Sequence, residues 1–296
     1  MRCRSLILLV TLLVGCGAAH TGESAATGAP PTTTYLVKEA TLVNGAVTVR
    51  LDIPLQPAGR RPTVIALLGD THPVVAAGFV AATYTVNWGL LRALEPTPAP
   101  APSQQAVGKW VLASPREDIL GERYLREIST TADTYVPAVL DWLTAQPEVD
   151  PTHLAIVGSS TNGFVALRAG AVDHRLGVVV AIAACADYER FLRYSSMGMS
   201  GQPLHLAPAY VEWLHSQEVI RDPAALTHAA VLMVNRAPDP LIPVSCADET
   251  ARVLSDAFAR AAAPDRFRYL RLEGEGHGLG QPEADAAMEW LRKWLS

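Results

Sequence analysis

Two hydrophobic patterns alternate along the chain. Short continuous apolar runs, "PTVIALLG" (62–69), "LAIVG" (154–158), "LGVVVAIAAC" (176–185) and "AAVLMVN" (229–235), read as strands buried on both faces. Further strands are expected over 78–86 and 266–272. Between them lie segments with helical spacing. Over 129–145, Val136, Val139, Leu140 and Leu143 share one face, and 282–294 closes the chain in the same way. A third helix is expected over 206–220, inside a longer insertion at 188–226. At the front, "YLVKEATLVNGAVTVRLDIPL" (35–55) predicts a hairpin turning at Asn44-Gly45, with alternating positions on its second arm, 47–53. "LEPTPAPAPSQQ" (94–105) is too rich in proline for regular structure and is expected to be an exposed excursion. Strands alternating with helices predict an α/β fold: a mostly parallel central sheet with helices on both faces and an N-terminal antiparallel hairpin.

The first residues fall outside this pattern. Arg2 and Arg4 precede an apolar run, 6–14, that is too short to span a bilayer. The run ends in Leu13-Val14-Gly15-Cys16, which resembles a bacterial lipobox. On that reading 1–15 are a signal peptide, Cys16 carries lipid, and 16–34, rich in Gly, Ala, Ser, Thr and Pro, is a flexible tether to the domain at 35–296. An ordinary secretory peptide cut near 17–19 is the alternative. The expected location is the bacterial cell envelope, membrane-anchored, facing periplasm or exterior. Only Cys185 and Cys246 then remain in the domain. Export permits a disulfide between them, and two buried free thiols are the other reading. At 296 residues, 49% hydrophobic, the chain can bury a large core. Net charge is −5 with no basic tract, which argues against a nucleic-acid partner.

Candidate chemistry sits just past the expected strands, where ligands meet a parallel sheet. Ser160 follows the run ending at Val157, Asp239 follows the run ending at Asn235, and His277 follows the strand ending at Leu272. A serine hydroxyl is a weak nucleophile until a base takes its proton during attack. His277 is the candidate base, and Asp239 would hold the imidazole in the required tautomer. Gly274, Gly276 and Gly278 would let the histidine loop curl.

The stretches "VDPTHLAIVGSSTNGFVAL", "VLMVNRAPDPLIP" and "GEGHG" followed by a final helix resemble the α/β-hydrolase superfamily, in particular its dienelactone-hydrolase-like and prolyl-oligopeptidase-like branches. The resemblance implies nucleophile, acid and base at Ser160, Asp239 and His277, and an oxyanion hole from the backbone N–H groups of Thr161 and Asp70. Two departures stand out. Gly-x-Ser-x-Gly becomes Gly158-Ser-Ser160-Thr-Asn162, with Gly163 one residue late. The His-Gly often found before the second oxyanion donor is Leu68-Gly69-Asp70. A carboxylate there would oppose a developing negative charge unless it turned away, and its other reading is a turn or helix cap.

These features predict a serine hydrolase, a carboxylesterase acting on a small-molecule ester, with the membrane reached through the lipid anchor. Neither metal nor organic cofactor is implied, because His153, His174, His205, His215 and His228 lack metal-ligand spacing. A serine peptidase or amidase is the alternative activity, although the residues before Ser160 leave little space for the propeller of the oligopeptidase branch. A non-catalytic binding protein of the same fold is the competing class. The insertion at 188–226 would either close over Ser160 as a lid or pack Tyr188, Phe191, Tyr194, Tyr210 and Trp213 into the core.

Overall fold

The computed structural model describes residues 35–55, 58–88, 104–107, 110–113, 119–195 and 208–295. The expected signal peptide, Cys16 and the tether lie outside these residues, as do 94–103 and 196–207.

The main sheet has eight strands in the order β1 (Tyr35–Leu42), β2 (Val47–Pro54), β4 (Val80–Val86), β3 (Arg61–Leu67), β7 (Val149–Ser159), β8 (Leu176–Ile182), β9 (Ala230–Ala237) and β10 (Phe267–Glu273). Strands β5 (Gln104–Val107) and β6 (Trp110–Ala113) pair antiparallel in a separate ribbon. Gln104 and Gln105, at the end of the Pro-rich stretch, are therefore strand residues and not loop.

In the main sheet only β2 runs against its neighbours; every pairing from β4 through β10 is parallel. The hairpin turns where Asn44-Gly45 indicated. Asn44 and Gly45 take positive φ (52° and 92°), the backbone such tight turns demand. Leu154–Gly158 and Ala230–Asn235 are buried without a break, as strands covered on both faces must be.

The helices lie between these strands. His72–Ala76 follows β3, Thr161–Val172 follows β7, Val244–Arg260 follows β9 and Gln281–Leu295 follows β10. The helix expected to begin near 129 starts earlier. Ile119–Thr130 runs through one π-helical turn, Thr131–Tyr135, into Val136–Thr144. In its first half Tyr124, Leu125 and Ile128 pack inward, but Glu122, Arg123, Arg126 and Glu127 stand among them in the sequence and mask the stripe.

The insertion holds helices Tyr188–Tyr194 and Pro208–Gln217. Four of the five aromatics named above pack into or against the core, Tyr194 being the exception. Tyr188 and Phe191 are buried against Phe164, with Phe191 edge-on at 5.1 Å, so they belong to the core. Tyr210 and Trp213 stack on each other, and Arg126 lies 4.3 Å over the Trp213 ring. Tyr194 is exposed.

Cys185 and Cys246 are joined in a disulfide. It ties the loop after β8 to the first turn of Val244–Arg260, the helix that follows Asp239. The two cysteines lie 61 positions apart in sequence, so on the chain-entropy account the crosslink contributes up to about 4 kcal/mol. Replacing both cysteines with alanine is expected to lower the urea unfolding midpoint accordingly, and an unchanged midpoint would contradict that account.

Candidate active site

Strand β7 ends at Ser159 and the helix Thr161–Val172 begins immediately after Ser160, which makes Ser160 the corner between them. Its φ and ψ are 56° and −124°, a conformation an L-residue holds only when its surroundings impose it. They do. The Ser160 N–H donates to the Ile182 carbonyl at 2.8 Å, and the Ser160 carbonyl accepts the Gly163 and Phe164 N–H groups at 2.8 and 3.2 Å.

The close approach needed for this corner falls on Gly158 and Gly163. A Cβ at 158 would overlap the backbone carbonyl of Asn162. One at 163 would lie 2.7 Å from the Ile182 carbonyl oxygen and 2.8 Å from the Ala184 Cβ. Position 162 carries no such restriction. Its side chain is half-buried and reaches the Leu67 carbonyl at the end of β3, at a long 3.5 Å. The glycine that arrives one residue late is thus the one that packing requires.

The two other sequence-predicted side chains meet Ser160 here. His277 Nε2 lies 2.8 Å from Ser160 Oγ, and His277 Nδ1 lies 2.9 and 3.0 Å from the two Asp239 oxygens. An ionised carboxylate only accepts, so Nδ1 carries the proton, leaving Nε2 of the neutral ring to accept from the serine hydroxyl. The Asp239 side chain is almost wholly buried. Its charge is met by further donors, since Oδ1 also accepts the Leu241 and Ile242 N–H groups at 2.8 and 2.9 Å. Those bonds fix the carboxylate from behind while it faces the imidazole.

The His277 loop is built around Arg236, at the end of β9. A Cβ on Gly276 would lie 3.0 Å from Arg236 Cδ, and one on Gly280 would lie 3.3 Å from its Nη2. Arg236 Nη2 donates to Glu283 Oε2 at 3.0 Å, while its Nε stands 2.5 Å from Oε1 as a charge contact without hydrogen-bond alignment. The same Oε2 accepts the Gly280 N–H at 3.0 Å. A further bond, from the Gly276 N–H to the Pro238 carbonyl at 3.3 Å, joins the histidine loop to the acid loop. Arg236 and Glu283 escaped sequence reasoning. An acid three residues past Gly280 at a helix start is a capping signal that could have marked Glu283, but nothing local marks Arg236.

Thr161 opens its helix, so its N–H has no place in the helical ladder. Its hydroxyl lies 3.0 Å from Tyr124 OH, a third residue that the sequence did not reveal. Burial pushes the Tyr124 phenol up to about 12, which keeps it a neutral hydroxyl. Asp70 is exposed on the loop after β3, and its Oδ1 accepts the His72 N–H at 2.9 Å. Its carboxylate is engaged as a turn and cap at the start of His72–Ala76.

No family model matches the chain, and no curated protein does. Solved structures do. A glucuronoyl esterase from Solibacter usitatus superposes with TM-score 0.57 at 12% identity, covering 92% of this chain and 88% of its own. A puromycin-hydrolyzing peptidase of Mycobacterium tuberculosis reaches TM-score 0.62 at 16% identity, covering 90% of this chain and 40% of the peptidase. A cold-adapted esterase from an Arctic intertidal metagenomic library gives 0.57 at 14%, with 90% and 97% covered. The chain therefore has the α/β-hydrolase fold. At these identities the likeness shows the architecture alone.

The corner's packing separates two neighbouring substitutions. Gly163→Ala is expected to destabilise by about 1–3 kcal/mol through overpacking. Asn162→Gly should cost about 1 kcal/mol or less, as for a glycine introduced near a helix start. Urea denaturation of the two variants measures both, and equal costs would refute this assignment of the elbow glycine.

Proposed function

We propose that the protein is a serine hydrolase acting on carboxylic esters through an acyl-enzyme at Ser160, exported and anchored to the bacterial cell envelope by lipid on Cys16. The observation that carries the catalytic part is the imidazole of His277, held between the hydroxyl of Ser160 and the buried carboxylate of Asp239.

In the proposed reaction Ser160 Oγ attacks the ester carbonyl carbon while His277 Nε2 accepts the hydroxyl proton. Negative charge gathers on the carbonyl oxygen, where the N–H groups of Thr161 and Asp70 are the assigned donors. Asp239 stabilises the imidazolium without taking its proton. Collapse of the tetrahedral intermediate expels the alcohol, which leaves with the proton from Nε2. Water then repeats the sequence on the acyl-enzyme, with His277 again as base, and Ser160 is restored.

Esters are favoured over amides because two of the neighbours covered nearly end to end are esterases, whereas the chain spans 40% of the peptidase. The retained Ser/His/Asp arrangement, with its carboxylate fully satisfied, speaks against a protein kept only for binding.

A fluorophosphonate probe is expected to label the wild type and to fail on Ser160→Ala, with His277→Ala labelled far more slowly. Asp239→Asn should lower kcat on p-nitrophenyl acetate by about 10⁴-fold, the size of effect such a substitution has elsewhere. Equal labelling of all variants would end the catalytic reading. For the anchor, Cys16→Ser is expected to move the protein from the membrane to the soluble fraction of fractionated cells, and continued sedimentation with membranes would overturn it.

A further inference from the structure

A cleft of about 320 Å³ opens beside the segments that carry the proposed machinery. Leu68 and Asp70 line it from the loop after β3, and Leu279 and Gly280 line it from the loop just past His277. Its floor is one face of Gln281–Leu295, where Ala284, Met288 and Leu291 recur at helical spacing.

The chemistry of this lining is apolar. Its two polar side chains are engaged with their own neighbours: Asp70 accepts the His72 N–H, and Gln281 donates to Asp285 at 2.7 Å. Among the described residues no lysine, arginine or histidine lines it, so no side chain there offers a positive charge to a phosphate or a carboxylate. Leu279, two residues from His277, leaves 41% of its surface exposed at the rim. A leucine kept in water on a loop that also presents a candidate catalytic base gains by being covered with hydrocarbon. The size fits such a guest. An enclosed cavity of roughly 150 Å³ takes up a benzene molecule, and this cleft, open to solvent on one side, offers about 320 Å³.

Building on the serine hydrolase reading, we propose that the cleft binds the hydrocarbon part of the substrate, which makes that substrate an ester bearing a medium-length alkyl or an aryl group. The group enters between Leu68 and Leu279 and lies along Ala284 and Met288, while the carbonyl stays at Ser160. The shared chemistry is a saturated or aromatic hydrocarbon, carried on either the acyl or the alcohol side of the ester.

The test fills the cleft and reads binding and turnover separately. In the Ser160→Ala background, dansyl-undecanoate fluorescence is titrated with and without Ala284→Phe, and with Met288→Phe as the second variant in case the first folds poorly. Either added ring is expected to weaken the probe at least tenfold. In the active protein, kcat/KM is compared for p-nitrophenyl acetate against octanoate, and for ethyl acetate against octyl acetate. A tenfold fall in the octanoate-to-acetate ratio assigns the acyl chain to the cleft. The same fall confined to octyl acetate assigns the alcohol. Unchanged probe affinity together with unchanged ratios in a folded variant overturns the proposal, whatever the labelling of Ser160 shows. Absent fluorophosphonate labelling with intact, ring-sensitive probe binding would instead sink the hydrolase reading and leave a hydrocarbon-binding cleft.

Discussion

The rest of the site depends on one steric constraint, the near-contact of the helix Thr161–Val172 with the ends of β7 and β8. At Gly158 and Gly163 the backbones approach so closely that a methyl group would collide with a main-chain carbonyl or with Ala184. That approach draws Ser160 into a φ of 56° and aims the serine out of the sheet's edge. The hydrogen bond that Ser160 donates to Ile182 and those its carbonyl accepts from Gly163 and Phe164 offset the strain. Beneath the elbow, Phe164 is wedged by Tyr188 and Phe191, so the helix cannot back away.

Once Ser160 is set, parallel pairing brings its partners within reach. Strands β7, β8, β9 and β10 run the same way, so their carboxyl ends share one rim. Asp239 and His277 leave from neighbouring strands at that rim and need only short loops to meet. Each loop is restrained by groups that take no part in the proposed proton transfer. Backbone N–H groups of Leu241 and Ile242 hold Asp239, and the Arg236–Glu283 pair fills the inside of the histidine loop. The disulfide adds a covalent tie between the loop after β8 and the helix after the acid loop. Restraint from behind is what lets a loop residue keep hydrogen-bond geometry to a partner far away in sequence.

Legibility in the sequence tracked how local each determinant is. The hairpin, the buried strands and the order of Ser160, Asp239 and His277 were readable, because each rests on a run of apolar residues or on the residue just past one. The elbow glycine was misleading for the same reason. A motif counts positions, whereas the structure tests which Cβ would strike a neighbouring strand, and that neighbour is Ile182, in a strand the motif does not include. Tyr124 and Arg236 were invisible, since their partners Thr161 and Glu283 are reached only through the fold. The early start of the helix at Ile119 was lost because Tyr124, Leu125 and Ile128, which pack inward, are interspersed with Glu122, Arg123, Arg126 and Glu127. The insertion's aromatics could not be sorted either: periodicity shows that residues face one way, and not what lies opposite.

At Asp70 the charge of the side chain and the proposed chemistry are opposed, and the geometry resolves the conflict. The proposed oxyanion site asks for a backbone N–H at this position, while the side chain there carries a negative charge. A free carboxylate beside a developing oxyanion would raise the barrier, most of all where water is excluded. Here Oδ1 is taken by the His72 N–H, at the opening of the next helix. A carboxylate at a helix start is stabilised there by an otherwise orphaned donor. The residue is also exposed, so solvent screens its charge. The acid can therefore serve as a cap with its side chain while its main chain remains available to the carbonyl. In this position the demands of folding and of the proposed chemistry fall on different atoms of one residue.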